Sequence, residues 1–357
     1  MGHQWHSLGG PEHRPLTAVI VPIRGLTDNH VGLRRNAQPL SISRTFRQLR
    51  RLMGLRTLRW LFCSVSAILI ATSDACAAGE NATGQSLLWR ITSPQGAVSH
   101  VFGTIHIADT TVFKQRDTVL QILDNSTSYA SELNLDSVMR QLSPQALLLE
   151  RGTLYDIFDS SDVADVCQSL SAVNSMLSSA CTRLKPGAIM MIVTMGSITR
   201  TAPSSIDEFL WARAKELQIK RHGLETVAEQ LSVMDSMPPA YVLEQLRSRD
   251  SLAVELEKMR RFYVAEDLDA MRQYSDAESG MDSTMLAMVN DRRNMRMVDR
   301  MKPLTEAGGA FIAIGALHLT GPSGIPQLLQ RRGYRVEPVT GGVRVNWLER
   351  GKPEKRR

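Results

Sequence analysis

The same short pattern, an apolar strand that ends in Gly-x-x-His, occurs near both ends of the chain. One copy ends in Gly103-Thr-Ile-His106 and the other in Gly315-Ala-Leu-His318. Glycine at a strand end lets the backbone turn tightly and approach whatever the imidazole holds. The pattern predicts that strands from both chain ends are neighbours in one sheet, which would bring His106 and His318 together. The alternative is two separate, hydrogen-bonded structural histidines.

Between the two copies the sequence is mostly typical of helices. Across residues 144–301 apolar residues recur at spacings of three and four. Strand patterns flank this segment, at residues 87–102 and 128–133 before it and at residues 308–318 and 334–339 after it. We therefore predict an α/β or α+β fold, in which a central β-sheet built from both chain ends is covered by a mainly helical middle. A single domain over residues 78–346 accounts for this pattern.

The first 77 residues have the pattern of an export leader, and we exclude them from the predicted domain. An arginine-rich stretch at residues 44–59 and an apolar run at residues 60–71 precede Ala75-Cys-Ala77, which matches a signal n-region, h-region and cleavage site. We expect an exported product, periplasmic or secreted, that begins after cleavage near Ala77. The apolar run is too short to cross roughly 30 Å of hydrocarbon, so no membrane span is expected in the mature form. Translation starts at Met1 or at Met53, which opens a compact n-region of its own.

Charge is divided unevenly between the leader and the rest of the chain. The formal net charge is +6, but residues 1–77 hold 10 Arg and no Lys against 3 acidic residues. The remaining residues contain 32 Lys and Arg against 33 Asp and Glu. Since this balance is nearly neutral, it gives no electrostatic basis for binding nucleic acid, and no nucleic-acid partner is expected. Residues 347–357 read as a basic tail.

Cysteine usage agrees with export. Cys63 and Cys76 lie in the leader, which leaves Cys167 and Cys181 as an even pair. In an oxidising compartment this pair predicts a disulfide that closes a short loop and stabilises the fold by about 3 kcal/mol in the chain-entropy model. The alternative is two free, buried thiols.

Glu132 is the third candidate for a site with the two histidines. It lies at the end of a short strand in an apolar context, where an unpaired carboxylate is costly. Two imidazoles and one carboxylate are a common ligand set for a divalent transition metal, and Mn, Co or Zn would fit. The alternative is a surface glutamate or a structural Glu–Arg pair.

The two histidine motifs and Glu132 belong to a set of five short motifs that are spread along the chain. They are Phe102-Gly-Thr-Ile-His106, Ser131-Glu132, Gly223-Leu-Glu-Thr226 with Glu229-Gln230, Arg293-Asn294, and Ile314-Gly-Ala-Leu-His-Leu-Thr-Gly321. In content and order they resemble the TraB/GumN family, which is similar to the Tiki metalloproteases. The resemblance spans roughly Leu87 to Val339. It implies a central β-sheet with helices and divalent-metal-dependent peptide hydrolysis.

The resemblance also implies roles for individual residues. His106, Glu132 and His318 would bind the metal, and Arg293 would act with Glu132 in catalysis by steadying an anionic tetrahedral intermediate. The supporting residues would be Gly103, Gly315, Asn294, Glu225 and Asp109. Two of these stay open, because Glu225 either orients a ligand or has a structural role, and Asp109 either orients a ligand or caps a helix.

Three functions are consistent with this reading. The first is an exported metal-dependent hydrolase, peptidase-like, that acts on a peptide or protein substrate. The second is a periplasmic protein of the same fold that binds or sequesters peptides without turnover. In that case the histidines and Arg293 would form hydrogen bonds to a carboxylate or carbonyl group of the peptide. The third is an envelope scaffold whose histidines are core residues. The sequence predicts neither the oligomeric state nor the identity of the substrate.

Overall fold

A computed structural model of the protein describes residues 86–350, apart from the side chains of Met139 and Pro144. The predicted leader over residues 1–77, its cleavage site and the two candidate start codons lie outside the described residues. So do residues 351–357 of the predicted basic tail.

A six-stranded sheet forms the centre of the described region. Its strands are β1 (Leu88–Thr92), β2 (Val98–Thr104), β4 (Ser128–Leu133), β5 (Lys220–Glu225), β6 (Ala310–Gly315) and β7 (Arg335–Pro338). They lie in the order β5-β4-β6-β2-β1-β7. A separate two-stranded sheet consists of β3 (Lys114–Arg116) and β8 (Arg344–Asn346).

Strand direction places four carboxyl ends at one edge of the sheet. β2, β6, β4 and β5 run parallel to one another, whereas β1 pairs antiparallel with β2 and with β7. β6 comes from the C-terminal part of the chain and lies between β2 and β4, which come from the N-terminal part. Ligand sites of open α/β sheets commonly form outside such carboxyl ends.

The predicted fold class is confirmed, with one addition to the sheet. β1, β2, β4, β6 and β7 come from the two ends of the described region, as the sequence predicted. The edge strand β5, however, comes from the middle segment that was read as mostly helical. Its first four residues are at least partly exposed and only Leu224 and Glu225 are buried. An edge strand with so few apolar residues has no clear strand pattern in the sequence.

The helices lie mainly between β4 and β6. The α-helices are α1 (Asp117–Asp124), α2 (Val138–Gln141), α3 (Ser160–Val173), α4 (Pro186–Ser197), α5 (Ile206–Glu216), α6 (Val227–Asp235), α7 (Pro239–Arg247), α8 (Leu252–Ala265), α9 (Leu268–Glu278), α10 (Ser283–Leu286), α11 (Arg292–Ala307) and α12 (Ile325–Arg331). Short 3₁₀-helices connect several of them, and a π-helical turn at Ala287–Asp291 leads directly into α11. None of the helices in residues 86–350 is long and apolar enough to cross a membrane.

Local sequence signals set the start of helix α5. Ser205 and Glu208 form a capping box at the beginning of α5, in which each side chain accepts from the other residue's backbone N–H. This cap places Asp207 in the first turn of α5, where it is buried. Trp211, further along α5, packs edge-on against Tyr129 of β4. The helix is thereby fixed against the sheet.

Aromatic side chains fill the core next to the central strands. Phe311 of β6 stacks on Tyr129 of β4 and also contacts Phe102 of β2. Trp347 packs against Phe102 and is fully buried. Trp347 was predicted to begin the basic tail, but it lies in the core, within a 3₁₀-helix at Trp347–Glu349.

The predicted disulfide is confirmed. Cys167 of α3 is bonded to Cys181 of the 3₁₀-helix Ser175–Arg183. The two Cα atoms are 5.6 Å apart, within the usual range for a disulfide. The bond therefore joins two consecutive elements of the helical middle segment.

Candidate functional site

His106 and His318 both face the same carboxylate oxygen of Glu132. Nε2 of His106 lies 3.8 Å from Oε1 of Glu132, and Nε2 of His318 lies 3.7 Å from that oxygen. Both distances are too long for hydrogen bonds. The three residues are buried, with at most 5% of each exposed. The structure thus brings together the side chains that the sequence analysis named as metal ligands.

The order of the strands explains this convergence. His106 follows β2, His318 follows β6, and Glu132 lies near the end of β4, and β6 lies between the other two. Gly103 lets the two histidine motifs come close, because a Cβ at this position would lie 3.1 Å from Cα of Ala316. Any larger residue at position 103 would push the second motif away.

The two oxygens of Glu132 have different partners. Oε1 faces the histidines and accepts the backbone N–H of Gly315 at 2.8 Å. Oε2 accepts from Nη2 of Arg293 at 2.8 Å and from Nε2 of Gln230 at 3.3 Å. Burial by itself would raise the pKa of Glu132, but its contacts with His106, His318 and Arg293 hold that pKa well below its usual range. Glu132 is therefore ionised and fixed in orientation.

Arg293 is bound by a second buried carboxylate. Its Nε lies 3.0 Å from Oε1 of Glu225, and its Nη2 lies 2.6 Å from Oε2 of Glu225. Burial would lower the pKa of Arg293, but Glu225 and Glu132 outweigh burial and raise it. In the structure this guanidinium group, which is 1% exposed, holds the two carboxylates in place. Its predicted action on a reaction intermediate stays a prediction.

Asn294 orients the ring of His318. Nδ2 of Asn294 donates to the carbonyl oxygen of Ser323 at 2.8 Å, so Oδ1 is the atom that faces Nδ1 of His318, at 2.6 Å. Since Oδ1 can only accept, Nδ1 carries the proton and Nε2 presents its lone pair towards Glu132. Burial and the charge of Arg293 lower the pKa of His318 to about 4. The predicted supporting role of Asn294 thus has a geometric basis.

Asp207 lies against His106 in the corresponding place. Oδ2 of Asp207 is 2.7 Å from Nδ1 of His106, and Oδ1 accepts from Oγ1 of Thr104 at 2.6 Å. Burial would lower the pKa of His106, but Asp207 and Glu132 raise it to about 10. Asp207 was not among the site residues predicted from the sequence. An acidic residue in the first turn of a helix is common for local reasons, so its sequence position carried no signal.

The comparisons with known proteins agree with the arrangement of motifs. Residues 87–338 match the model of the TraB/PrgY/gumN family, a range that covers well over half of the chain and contains all the residues described above. The chain belongs to the TraB/PrgY/gumN family. No curated protein and no solved structure gives a significant match.

The predicted role of Asp109 as a ligand-orienting group is replaced by the capping alternative in this TraB/PrgY/gumN protein. Asp109 accepts from the backbone N–H of Thr111 at 2.8 Å and from Oγ1 of Thr201 at 2.9 Å. It caps the 3₁₀-helix Thr110–Phe113. The carboxylate that contacts His106 is that of Asp207.

A small cavity of about 30 Å³ borders both histidines. Apart from them it is lined mainly by apolar side chains, namely Ile105, Ile107, Leu256, Met259, Met271 and Leu317. This volume is enough for one or two water molecules, since about 10–15 Å³ suffices for one. A polypeptide substrate would need the surrounding helices α8 and α9 to move.

The side chains predicted as metal ligands do not surround a common point in this structure. Within residues 86–350, no set of three or more His, Cys, Asp or Glu side chains is already arranged as a metal-ion site. In this TraB/PrgY/gumN protein a shared ion would therefore require His106, His318 and Glu132 to move closer together.

Proposed function

We propose that this TraB/PrgY/gumN protein is an exported, divalent-metal-dependent hydrolase of the peptidase type, with His106, Glu132 and His318 as metal ligands. The observation that carries the proposal is that two imidazole Nε2 atoms face one carboxylate oxygen at 3.8 and 3.7 Å. The other ring nitrogen, Nδ1, contacts Asp207 in His106 and Asn294 in His318, and these contacts orient the two rings.

The distances support a shared ion after a small inward movement. Two ligand atoms at about 2.1 Å from one ion, with bond angles between tetrahedral and trigonal, are roughly 3.4 to 3.6 Å apart. The observed separations of 3.8 and 3.7 Å are only slightly wider. In addition, Nε2 of His106 is buried without a hydrogen-bond partner. A buried nitrogen of this kind is costly unless it binds something.

The charges of the buried groups also favour a cation. The carboxylates of Glu132, Glu225 and Asp207 are all buried, and Arg293 is the buried guanidinium group that lies with the first two. Buried charges are stable only when they are compensated. In the metal-free protein the carboxylates are compensated by Arg293, by Arg296 next to Glu225, and by His106, whose pKa is raised to about 10. A divalent ion would take over the positive charge that the ring of His106 gives up, and two imidazoles with one carboxylate suit Mn, Co or Zn.

The chemistry follows from what the residues of this chain hold in place. When bound, a divalent ion supplies Lewis-acid activation of a carbonyl group and lowers the pKa of a water molecule towards about 7. Arg293 and Gly315 keep the carboxylate of Glu132 ionised and oriented. The cavity beside the histidines is lined mainly by apolar side chains, and electrostatic interactions are stronger in such low-dielectric surroundings than in water. The peptide bond as the target comes from the resemblance to the Tiki metalloproteases.

A metal-binding and cleavage assay tests the hydrolase proposal. We expect the purified protein to bind Mn, Co or Zn and, when loaded, to cleave members of a peptide library. His106→Ala and His318→Ala should each abolish both properties. The matched control is His222→Ala, because His222 lies on the edge strand β5 and is partly exposed. A wild-type protein that binds none of these ions contradicts the proposal, and metal or peptide binding without cleavage favours the sequestering alternative.

Export is tested separately from catalysis. The leader over residues 1–77 predicts a product whose first residue is near Ala78. N-terminal sequencing of the protein from cell fractions should find this end in the periplasm or the medium. An uncleaved chain that begins at Met1 or Met53 and stays in the cytoplasm contradicts export without affecting the proposed chemistry.

A further inference from the structure

We propose that Asp207 is a positioning residue of the metal site, which holds the ring of His106 with Nε2 directed at Glu132. The inference rests on the proposed function, because it concerns the ability of His106 to act as a ligand. It adds to the site a residue from α5, in the helical middle segment, that no motif in the sequence indicated.

Both carboxylate oxygens of Asp207 contact residues at the carboxyl end of β2. Oδ2 lies 2.7 Å from Nδ1 of His106, and Oδ1 accepts from Oγ1 of Thr104 at 2.6 Å. Thr104 is the last residue of β2, two positions before His106. All three residues are buried. The carboxylate is therefore clamped between the strand end and the imidazole that follows it.

The helix that carries Asp207 is itself anchored. The capping box of Ser205 and Glu208 fixes its first turn. Near its other end, Arg213 makes two bonds of 2.6 Å to the carboxylate of Asp124. A side chain on an element fixed at both ends is held in one geometry, which is what the support of a metal ligand requires.

The charge of Asp207 decides which nitrogen of His106 is free to bind. A carboxylate only accepts hydrogen bonds, so it keeps the proton of a neutral ring on Nδ1 and leaves the lone pair on Nε2. An asparagine at the same place can instead donate its NH₂ to Nδ1. The ring proton would then move to Nε2, which could no longer bind a metal ion. Partners of this kind typically contribute 10–100-fold to metal affinity.

A purely structural role for Asp207 predicts a different outcome. In that case Asp207→Asn would lower the stability of the metal-free protein and leave its metal affinity unchanged. Asp136 provides the matched control, because its carboxylate also contacts α5, through Trp211 at 3.3 Å, and pairs with Arg221 at 2.8 Å. Its partners belong to α5 and β5 and do not include the two histidines.

The experiment uses Co²⁺ as the probe ion and the purified protein. Co²⁺ affinity is measured by calorimetry, the visible absorption of bound Co²⁺ is recorded, and unfolding of the metal-free protein is followed in urea. We expect Asp207→Asn to weaken Co²⁺ binding by about 10–100-fold and to change the absorption bands. Asp136→Asn should keep the wild-type affinity and spectrum, even where it lowers stability.

A second pair of variants covers the case in which Asp207→Asn does not fold. Thr104→Val removes the hydroxyl group that holds Asp207, whereas Thr104→Ser keeps it. We expect the valine variant to bind Co²⁺ several-fold more weakly and the serine variant to bind it like the wild type. Equal affinities of Asp207→Asn and wild type, or of the two Thr104 variants, overturn the inference alone. A wild-type protein that does not bind Co²⁺ overturns the inference together with the proposed metal site.

Discussion

The two histidine motifs are alike in sequence but differ in their electrostatic surroundings. Nδ1 of His106 faces the carboxylate of Asp207, whereas Nδ1 of His318 faces the neutral amide of Asn294. Burial lowers the pKa of both rings. At His106, Asp207 and Glu132 outweigh burial and raise the pKa to about 10, whereas at His318 the charge of Arg293 adds to burial and lowers it to about 4.

This difference shows that a repeated motif does not make two equivalent residues. The strand and the Gly-x-x-His turn deliver each imidazole to the same oxygen of Glu132. The helices then supply a different partner to each ring, from α5 for His106 and from α11 for His318. The shared oxygen and the separate partners can be tested one by one.

Removal of the shared carboxylate charge should have the largest effect on metal binding. Glu132→Gln leaves both imidazoles without their common anionic partner. We expect metal affinity to fall by more than about 100-fold, because loss of a ligand outweighs loss of its hydrogen-bond partner. Elemental analysis after dialysis measures the loss. Glu229→Gln, which changes a partly exposed ion pair with Arg300, should retain the metal, and retention by Glu132→Gln would break the idea of a shared ligand.

Removal of Arg293 should cost the most stability. Arg293→Met leaves the buried carboxylates of Glu132 and Glu225 without their guanidinium partner. Breaking a buried pair in this way typically costs about 3–5 kcal/mol in the free energy of unfolding. Arg300→Met, which breaks an exposed pair, should cost at most about 1 kcal/mol. If Arg293→Met and Arg300→Met lower the free energy of unfolding in urea equally, Arg293 does not stabilise the buried carboxylates of Glu132 and Glu225.

The partner of His318 should matter less than that of His106. Asn294→Leu removes the neutral acceptor of Nδ1, whereas Asp207→Asn removes a charged one. Charge-assisted hydrogen bonds are roughly twice as strong as neutral ones. We expect Asn294→Leu to weaken Co²⁺ binding by about 10-fold, near the low end of the usual range for such partners. A larger loss than that of Asp207→Asn, measured by the same calorimetry, would reverse the ranking of the two halves.

The pH dependence of stability should separate the two rings in the metal-free protein. The folded pKa of His106, about 10, is above its ordinary value of 6.5, so its contribution is present below pH 6.5 and is lost as pH rises towards 10. The folded pKa of His318, about 4, is below 6.5, so its contribution is present above pH 6.5 and is lost as pH falls towards 4. We expect His106→Gln to reduce the dependence of the free energy of unfolding on pH above pH 6.5. His318→Gln should reduce this dependence below pH 6.5.

The measurement is the free energy of unfolding in urea between pH 4 and pH 10 with a chelator present. His100→Gln is the control for His318→Gln, because burial and Arg90 lower the pKa of His100 to about 4 as well. Because the two pKa values are lowered to the same extent, His100→Gln and His318→Gln should change the stability at acid pH by similar amounts, and neither should change it at alkaline pH. If His106→Gln instead changes the pH dependence of stability below pH 6.5, the opposite pKa shifts assigned to the two histidines are wrong.

Much of the site was predictable because its signals are local. The two Gly-x-x-His motifs, the glutamate near the end of β4 and the cysteine pair each appear as short patterns. Strand ends and a short disulfide loop depend on neighbouring residues, so such patterns carry over directly into structure.

The assignments that were missed or corrected depend on contacts between residues that are far apart in the sequence. Asp109 was considered a support for His106 because it is close in sequence, but it caps its own 3₁₀-helix. Asp207, about one hundred residues away in sequence, occupies that place instead. The strand β5 was missed because it is an edge strand with few buried residues. In each case the deciding contact lies between distant parts of the chain.

Short patterns in the sequence were enough to indicate the family and the fold class, and they predicted the disulfide and the convergence of His106, His318 and Glu132. The folded chain was needed to see that β6 inserts between β2 and β4 and that Arg293 is bound by two carboxylates. It was also needed to see that Asp207 and Asn294 contact the two imidazoles. The physical reason is that helices, strands and caps form from interactions between neighbouring residues, whereas the partner of a buried charge depends on strand order and helix packing, which no local spacing encodes.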